Sequence, residues 1–434
     1  MKKYIYLLLT GAFTLGTTTS CDDYLEVDQY EILSPDYMFK TEANILTGLN
    51  GIYDTFYTDQ ETGLGDDQVW GFKPHVFAAN HPTMDCQASG WDAEWQRHAW
   101  KPDKESLESA WRMSYRAIDR ANRFLKGLET ADMSVFAESK SKDIYEAEAR
   151  AIRAYNYLAL AKNFGRVPML MAGETYVNTP SKPRPDTEDE TWQVIIDDLA
   201  FGASVLDWTP INGEYGRITK GFCLGYQAEA LMYQEKYAEA KTLLKEIIDS
   251  NTYSLVPCFS YLFDPEKAWQ TEDVFATVMW TDNGNNMSDV QGWSPTEDHY
   301  MTACYCAASM EYNGWGSLFV SWECYNSFEE GDRRRAASMV ALGETNPWTG
   351  QTIGANGAPN VKTGSEYMPN ISSLKYWRAN CDYGSTINQP FTMHLLRYAG
   401  ILLNYAECSF HTGDETSGWD AIRQIRERAW GNHE

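Results

Sequence analysis

Apolar side chains recur every three or four residues along several stretches of the sequence, which limits the folds open to the chain. Residues 105–128 and 143–164 both show this spacing, which places the apolar side chains on one face of a helix. The second run stops at Gly165, and glycine commonly ends helices. Thr187 followed by Glu190 forms a capping box that predicts the start of another helix. The pattern therefore predicts a chain built mainly from helices.

Two helical runs, 219–234 and 237–250, follow each other with almost no linker. Short connections place helices antiparallel, so this region is predicted to be a helical hairpin that looks like a degenerate tetratricopeptide unit. A further pair is predicted at 395–411 and 419–430. Helical pairs that are distant in sequence can still stack into one solenoid-like layer. The predicted fold class is mainly α, with tetratricopeptide-like helical pairs.

Long polar and aromatic stretches separate the helices, at 60–103, 281–317 and 342–390. Loops of more than about 15 residues are usually functional or disordered. The chain has 16 Trp and 27 Tyr, and this aromatic content favours packed or ligand-binding loops over disorder.

The net charge of the chain argues against one class of function. The chain carries 61 Asp and Glu against 36 Lys and Arg, a net charge of −25. This balance argues against nucleic-acid binding, which depends on clustered Lys and Arg. The apolar fraction of 43% suits a packed core. Composition does not separate an enzyme from a binding protein.

The N-terminus has the layout of a secretory signal peptide. Lys2 and Lys3 precede a short apolar run, small residues follow, and Cys21 comes directly after them. We predict a signal peptide over 1–20 and one mature domain over 21–434. Cys21 resembles the lipidated cysteine of bacterial lipoproteins, and ordinary secretion is the alternative. No later segment approaches the ~20 apolar residues that span a bilayer.

Cysteine and histidine spacing predicts no metal site. The chain has no Cys-x-x-Cys pair and no His-Glu-x-x-His. The eight cysteines after Cys21 form no recognisable disulfide framework, although disulfides are possible in an exported protein. No cofactor is predicted.

Several separated blocks together resemble the SusD/RagB family of outer-membrane nutrient-binding lipoproteins. One contains Trp111, Tyr115 and Asn122 on a single predicted helix, and another contains Glu148 and Arg150. The blocks are 21–25, 38–42, 111–122, 148–150, 153–154, 164–168, 217–220, 332–334, 375–376, 396–398 and 406–407. Gly400 and Cys408 depart from the family pattern.

The resemblance implies a SusD-like fold in which long loops form the ligand face. It also implies non-catalytic capture of glycans or other nutrients, delivery to a SusC-like TonB-dependent transporter, and a lipid anchor in the outer membrane at the cell surface. Family members continue beyond residue 434, so the resemblance predicts a copy truncated at the C-terminus.

Sugar binding requires flat aromatic rings beside polar side chains, because sugar C–H patches stack on rings and hydroxyls form hydrogen bonds. Two loop segments have this makeup. Trp91, Trp293 and Trp315 lie in Gly- and Asp-rich surroundings and are the favoured rings, whereas Trp111, Tyr155, Trp192 and Tyr237 lie on helical faces and are expected to pack. The candidate ligand-binding residues are Asn80, Asp85, Trp91, Trp95, Trp293, Tyr300, Tyr305 and Trp315.

Two other functions stay open. A secreted glycoside hydrolase also needs aromatic residues, together with two carboxylates at a set separation, but no Ser-His-Asp or Cys-His signature is present. A helical-repeat scaffold that binds only protein would use the aromatic loops as its interface.

Overall fold

The structure, a computed structural model, describes part of the chain. The described residues are 35–56, 80–88, 93–102, 105–175, 177–264, 270–278, 318–341, 343–345, 347, 352, 371–375 and 392–431. Six of the predicted site residues lie outside them: Cys21, Trp91, Trp293, Tyr300, Tyr305 and Trp315. The predicted signal peptide, 1–20, also lies outside them.

The secondary structure is mainly helical. The helices are α1 (Pro35–Met38), α2 (Glu42–Tyr53), α3 (Ala93–Gln96), α4 (Glu105–Glu129), α5 (Ser141–Phe164), α6 (Glu188–Val205), α7 (Lys220–Tyr233), α8 (Tyr237–Asp249), α9 (Trp322–Ser327), α10 (Arg333–Ser338), α11 (Tyr398–His411) and α12 (Glu415–Ala429). The strands are β1 (Cys86–Ala88), β2 (Asp273–Val278), β3 (Leu318–Val320), β4 (Met339–Ala341), β5 (Ile371–Ser373) and β6 (Thr392–Arg397).

The long helices form one continuous layer, which we call the helical stack: α2, α4 to α8, α11 and α12. Helices α4 to α8 each pack against the next in sequence, α11 packs against α8, and α12 against α11. Helix α2 packs on α4 and α5. The predicted hairpins are confirmed, as is the prediction that pairs distant in sequence share one layer.

The predicted helix ends are also observed. The chain leaves α5 at Gly165, which has a φ of 70° and donates its backbone N–H to the Ala161 carbonyl oxygen at 3.0 Å. Thr187 precedes α6, where its hydroxyl accepts the Glu190 backbone N–H at 3.4 Å and donates to the Glu190 carboxylate at 2.9 Å. Two boundaries were wrong. Residues 395–397 belong to β6 rather than to a helix, because they pair with β2, with Leu396 opposite Phe275. Helix α12 begins at Glu415 rather than at residue 419, because Asp414 caps it by accepting the Ser417 backbone N–H.

The rings of Tyr155, Trp192 and Tyr237 pack in or against the core of the stack, as predicted. Trp111 packs on Phe164 but stays 36% exposed, so the prediction holds only in part for this ring. The ring centroids of Trp192 and Tyr233 lie 5.7 Å apart, and those of Tyr237 and His411 lie 3.8 Å apart and parallel. Aromatic pairs at these separations add to the free energy gained by burying their surface.

A buried ionic network joins three helices of the stack. Asp198 on α6 accepts hydrogen bonds from Arg153 at 2.8 and 3.0 Å and from Arg150 at 2.8 Å, both on α5. Arg153 also donates to Asn122 on α4 at 2.8 Å. The Asn122 amide in turn donates to the Leu170 carbonyl oxygen at 2.9 Å. These polar residues of the sequence blocks therefore hold the helices together.

Glu148 forms a second buried contact in the stack. Its carboxylate accepts hydrogen bonds from the Tyr53 hydroxyl at 2.6 Å and from Arg217 at 3.3 Å. The Tyr53 hydroxyl accepts the Ile218 backbone N–H at 2.9 Å. Burial raises the pKa of Glu148 to about 7, against the opposing effects of Arg217 and Tyr53.

The short strands build a second region, which we call the strand layer: the sheet β1-β3-β5-β4 with helices α3, α9 and α10. The neighbouring strands in this sheet are antiparallel. One side of it carries an apolar cluster made of Val320, Met339, Ala341 and Ile371. Two of the stretches predicted to be irregular, 60–103 and 342–390, therefore contain strands.

Strands β2 and β6 form a separate antiparallel pair that leads into α11. Glu272, just before β2, is fully buried and binds Arg397 at 2.6 Å and Arg428 at 2.8 Å. This ion pair attaches the β2–β6 pair to α12. None of the helices in the described part of the chain is both long and apolar enough to cross a membrane.

Candidate functional site

The strand layer brings the two predicted ligand segments together. Cys86 of β1 lies opposite Val320 of β3, and Ala88 lies opposite Leu318. The segment that contains Trp91 follows Ala88, and the segment that ends with Trp315 precedes Leu318. The pairing therefore places the ends of two distant segments side by side.

A compact turn precedes β1 and contains Asn80 and Asp85. The carbonyl oxygen of Asn80 accepts the Thr83 backbone N–H at 3.0 Å and the Thr83 hydroxyl at 2.6 Å. The Thr83 hydroxyl accepts the Asp85 backbone N–H at 3.1 Å. Asp85 is exposed and Asn80 half-buried. These bonds fix the spacing of the two predicted polar residues.

The turn is attached to the N-terminus of α9. The Ser321 backbone N–H donates to the Asp85 carbonyl oxygen at 2.9 Å, and the Ser321 hydroxyl donates to the Met84 carbonyl oxygen. The same hydroxyl caps α9 by accepting the Cys324 backbone N–H at 3.0 Å. Trp322 follows directly and is 46% exposed, with its ring edge-to-face on Tyr325 at 5.4 Å.

A second segment, 93–100, also contacts the turn and carries two tryptophans, Trp95 on α3 and Trp100 after it. Trp95 is buried, and its ring centroid lies 5.1 Å from that of Trp100, which is 37% exposed. His98 reaches back to the turn, where its Nε2 lies 3.1 Å from the Pro82 carbonyl oxygen. In this structure Trp95 supports Trp100 from beneath, so the ring that a ligand would meet here is Trp100.

The turn at 80–85 thus contacts both the segment that carries Trp100 and the segment that carries Trp322. We call this turn, together with the two exposed rings, the tryptophan surface. Trp322 was missed by the sequence analysis because α9 has only six residues, too few for a periodic signal. The usable signal was Ser321, a preferred N-cap residue, which places the next residue at an exposed helix start.

Two thiols and one amine of the strand layer influence one another: Cys86 on β1, Cys324 on α9 and Lys375 just after β5. Burial raises the pKa of Cys86 to about 12 and also raises that of Cys324. Burial lowers the pKa of Lys375, whose Nζ lies 5.5 Å from the ring centroid of Phe263. Within the part of the chain that the structure describes, no group of three or more His, Cys, Asp and Glu side chains is placed to hold a metal ion.

A polar cleft of about 330 Å³ lies on the helical stack, with Glu148, Asp207 and Asn212 among its lining residues. Because Glu148 is already bound by Tyr53 and Arg217, its role is structural. No tryptophan is among the described residues that line this cleft.

Stacked helical pairs that carry a smaller strand layer make this a mainly α protein of the tetratricopeptide-like kind. Comparison with known proteins identifies its family. A family profile described as "Starch-binding associating with outer membrane" matches residues 23–225, and one described as "SusD family" matches residues 271–432. Together they span most of the chain. The chain belongs to the SusD/RagB family, and the predicted mainly α, SusD-like fold is confirmed.

Individual relatives agree with this assignment. A SusD-like protein of Formosa agariphila is 24% identical over 451 residues, covering 99% of this chain and 82% of the relative. A solved SusD-like carbohydrate-binding protein from Bacteroides fragilis has a TM-score of 0.75 at 18% identity, covering 91% of this chain and 79% of that one. Surface glycan-binding protein A from Bacteroides thetaiotaomicron, solved with laminarihexaose, has a TM-score of 0.70 at 20% identity, covering 90% of this chain and 83% of that one.

Proposed function

We propose that this protein is a non-catalytic binding protein that captures oligosaccharides on the tryptophan surface. The observation that carries the proposal is the pairing of β1 with β3, which joins the ends of the two aromatic segments beside two exposed tryptophans. Exposed rings offer stacking area at low cost in side-chain entropy, and Asp85 offers a hydrogen-bond acceptor to sugar hydroxyls. The solved relative that holds laminarihexaose supports a glycan as the ligand class.

The complete site, in this proposal, also includes the predicted residues outside the described part of the chain. Trp91 follows Ala88 by three residues, and Trp315 precedes Leu318 by three residues. Both therefore belong to segments that enter or leave the paired strands. Trp293, Tyr300 and Tyr305 lie on the second of these segments.

Alanine substitutions test the site. A panel of purified polysaccharides, including laminarin and starch oligosaccharides, identifies a ligand by affinity electrophoresis, and titration calorimetry then measures binding. We expect Trp100→Ala and Trp322→Ala each to weaken binding by about 1–3 kcal/mol, by analogy with base–aromatic stacking. Trp91→Ala and Trp315→Ala are expected to weaken binding by a similar amount.

The matched control is Trp419→Ala, because Trp419 is a 57% exposed tryptophan on α12, outside the strand layer. It should bind like the unsubstituted protein. Normal binding by all four site variants would refute the site. Steady release of reducing ends from the bound glycan would instead indicate a glycoside hydrolase. If the site variants lost binding to a partner protein but kept glycan binding, the protein would be a protein-binding scaffold.

We also propose that the protein is a surface lipoprotein that delivers its ligand to a SusC-like TonB-dependent transporter in the outer membrane. Support comes from the apolar run before Cys21 and from the family assignment. Stable anchoring needs more than one acyl chain. Mass spectrometry of the exported protein should therefore find at least two acyl chains on Cys21, and an unmodified cysteine there would contradict the anchor. Co-purification with a β-barrel transporter tests the partner.

A further inference from the structure

Two cysteines from distant parts of the chain lie on the same side of the strand layer. Cys86 on β1 is directly opposite Val320 on β3, and opposed residues of an antiparallel pair project to the same face. Val320 belongs to the apolar cluster of the sheet, and Cys324 on α9 packs against that cluster. Both side chains therefore adjoin Val320 on one face.

Backbone contacts fix the same arrangement. Ser321 is bound to the Asp85 carbonyl oxygen at 2.9 Å, next to Cys86, and Ser321 also accepts the Cys324 backbone N–H at 3.0 Å. The Cys324 thiol donates to the Asp85 carboxylate. Burial raises the pKa of both thiols; Cys324 adds to the rise for Cys86, and Lys375 opposes it for both, so the three groups are close enough to interact.

We propose that Cys86 and Cys324 are a disulfide-forming pair that covalently joins residues 80–88 to residues 318–328. Both are free thiols in this structure. Oxidation requires a co-reactant, for which a small or protein disulfide of the thiol–disulfide exchange class suffices.

The half-buried Cys324 thiolate attacks one sulfur of the oxidant, forming a mixed disulfide and releasing one thiolate. The Cys86 thiolate then attacks the Cys324 sulfur and expels the second thiolate. The two cysteine protons end on the two released thiols, so one disulfide is consumed and one is formed. Because Cys86 is buried, the completed bond is shielded from attacking thiols.

This cross-link would hold the turn at 80–85 against α9 and so keep the tryptophan surface in place. That consequence rests on the proposed function, whereas the bond itself does not.

Peptide mapping of the full chain is the direct test. The protein is exported into an oxidising compartment, or incubated with oxidised glutathione, and then alkylated in denaturant with and without reductant. We expect a linked peptide pair that contains Cys86 and Cys324 and disappears on reduction. Alkylation of both cysteines without reductant, or linkage of either to another cysteine, would overturn the proposal.

Thermal unfolding gives a second readout. Reductant should lower the melting temperature of the unsubstituted protein by about 5 °C, because the bond closes a long loop in the unfolded chain. Cys86→Ser and Cys324→Ser should not respond to reductant. The control Cys258→Ser, at a half-buried cysteine beside Ser260, should keep the full response. A response that survives in Cys86→Ser and Cys324→Ser would assign it to other cysteines and refute the pair. Neither readout involves glycan binding, so failure here leaves the proposed function standing.

Discussion

The helical stack and the strand layer differ in where their polar and aromatic side chains lie. In the stack, Asp198 is buried and bound by Arg150 and Arg153. In the strand layer, Asp85 and the ring of Trp322 face solvent at the ends of short elements. Polar and aromatic residues of the stack therefore hold helices together, whereas those at the surface of the strand layer are available to a ligand.

The two regions also differ in how the chain builds them. Most helices of the stack pack against the next helix in sequence, so their contacts are local. The strands β1 and β3 have three residues each and come from distant parts of the chain. Stability of the strand layer therefore depends on long-range pairing with little area per strand, and its proposed disulfide would offset that weakness.

The largest expected effect is in the buried network of the stack. Asp198→Asn leaves Arg150 and Arg153 without their shared carboxylate, and breaking a buried ion pair costs about 3–5 kcal/mol. Asp197→Asn is the matched control, because the neighbouring Asp197 is exposed and accepts a hydrogen bond from Gln193 at 2.7 Å. Urea unfolding should show a large decrease in the free energy of unfolding for Asp198→Asn and almost none for Asp197→Asn. Equal losses would refute the structural role of the network.

A smaller effect tests how tightly the stack is packed. A Cβ added at Gly202 on α6 would lie 2.6 Å from the Cys223 sulfur on α7, so Gly202→Ala should lower the free energy of unfolding by about 1–3 kcal/mol. A Cβ added at Gly400 on α11 would meet no atom within 4 Å from other parts of the described chain, apart from the neighbouring residues and backbone of its own helix. Gly400→Ala should therefore stabilise the protein by about 0.5–1 kcal/mol. Thermal unfolding measures both, and destabilisation by Gly400→Ala would contradict the open space at that position.

A further expected effect depends on pH and on Glu148. Its pKa is raised by burial from 4.5 to about 7 in the folded protein, so the unfolded carboxyl loses its proton first as pH rises. The stability contributed by the protonated form is fully present below about pH 4.5 and is lost between pH 4.5 and 7. Glu148→Gln should flatten this part of the stability profile, measured by urea unfolding at several pH values. An unchanged slope would show that Glu148 does not cause the dependence.

Sequence alone predicted the stack well and the strand layer poorly, for a physical reason. The run at 105–128 became α4 within a residue, because its 3.6-residue period repeats over many turns. Strands of three residues, such as β1, carry no comparable period, and their partners are set by distant contacts. The candidate site was predicted as two segments, but their pairing was not.

Individual site residues show the same limit. Trp95 and Trp100 lie in one polar segment, and nothing in the sequence distinguishes the buried ring from the exposed one. The burial of each ring depends on how α3 packs beside β1, and this packing is set by tertiary contacts rather than by the local sequence. Trp322 escaped notice because its helix is short.

In the proposed function, the strand layer binds the ligand and the helical stack does not. Hydrogen–deuterium exchange with and without a glycan identified from the polysaccharide panel tests it directly, because ligand contact slows local opening. We predict added protection in peptides from residues 80–100 and 318–328, and unchanged exchange in α7, α8 and α12. Protection confined to those helices, with none in the strand layer, would contradict the account.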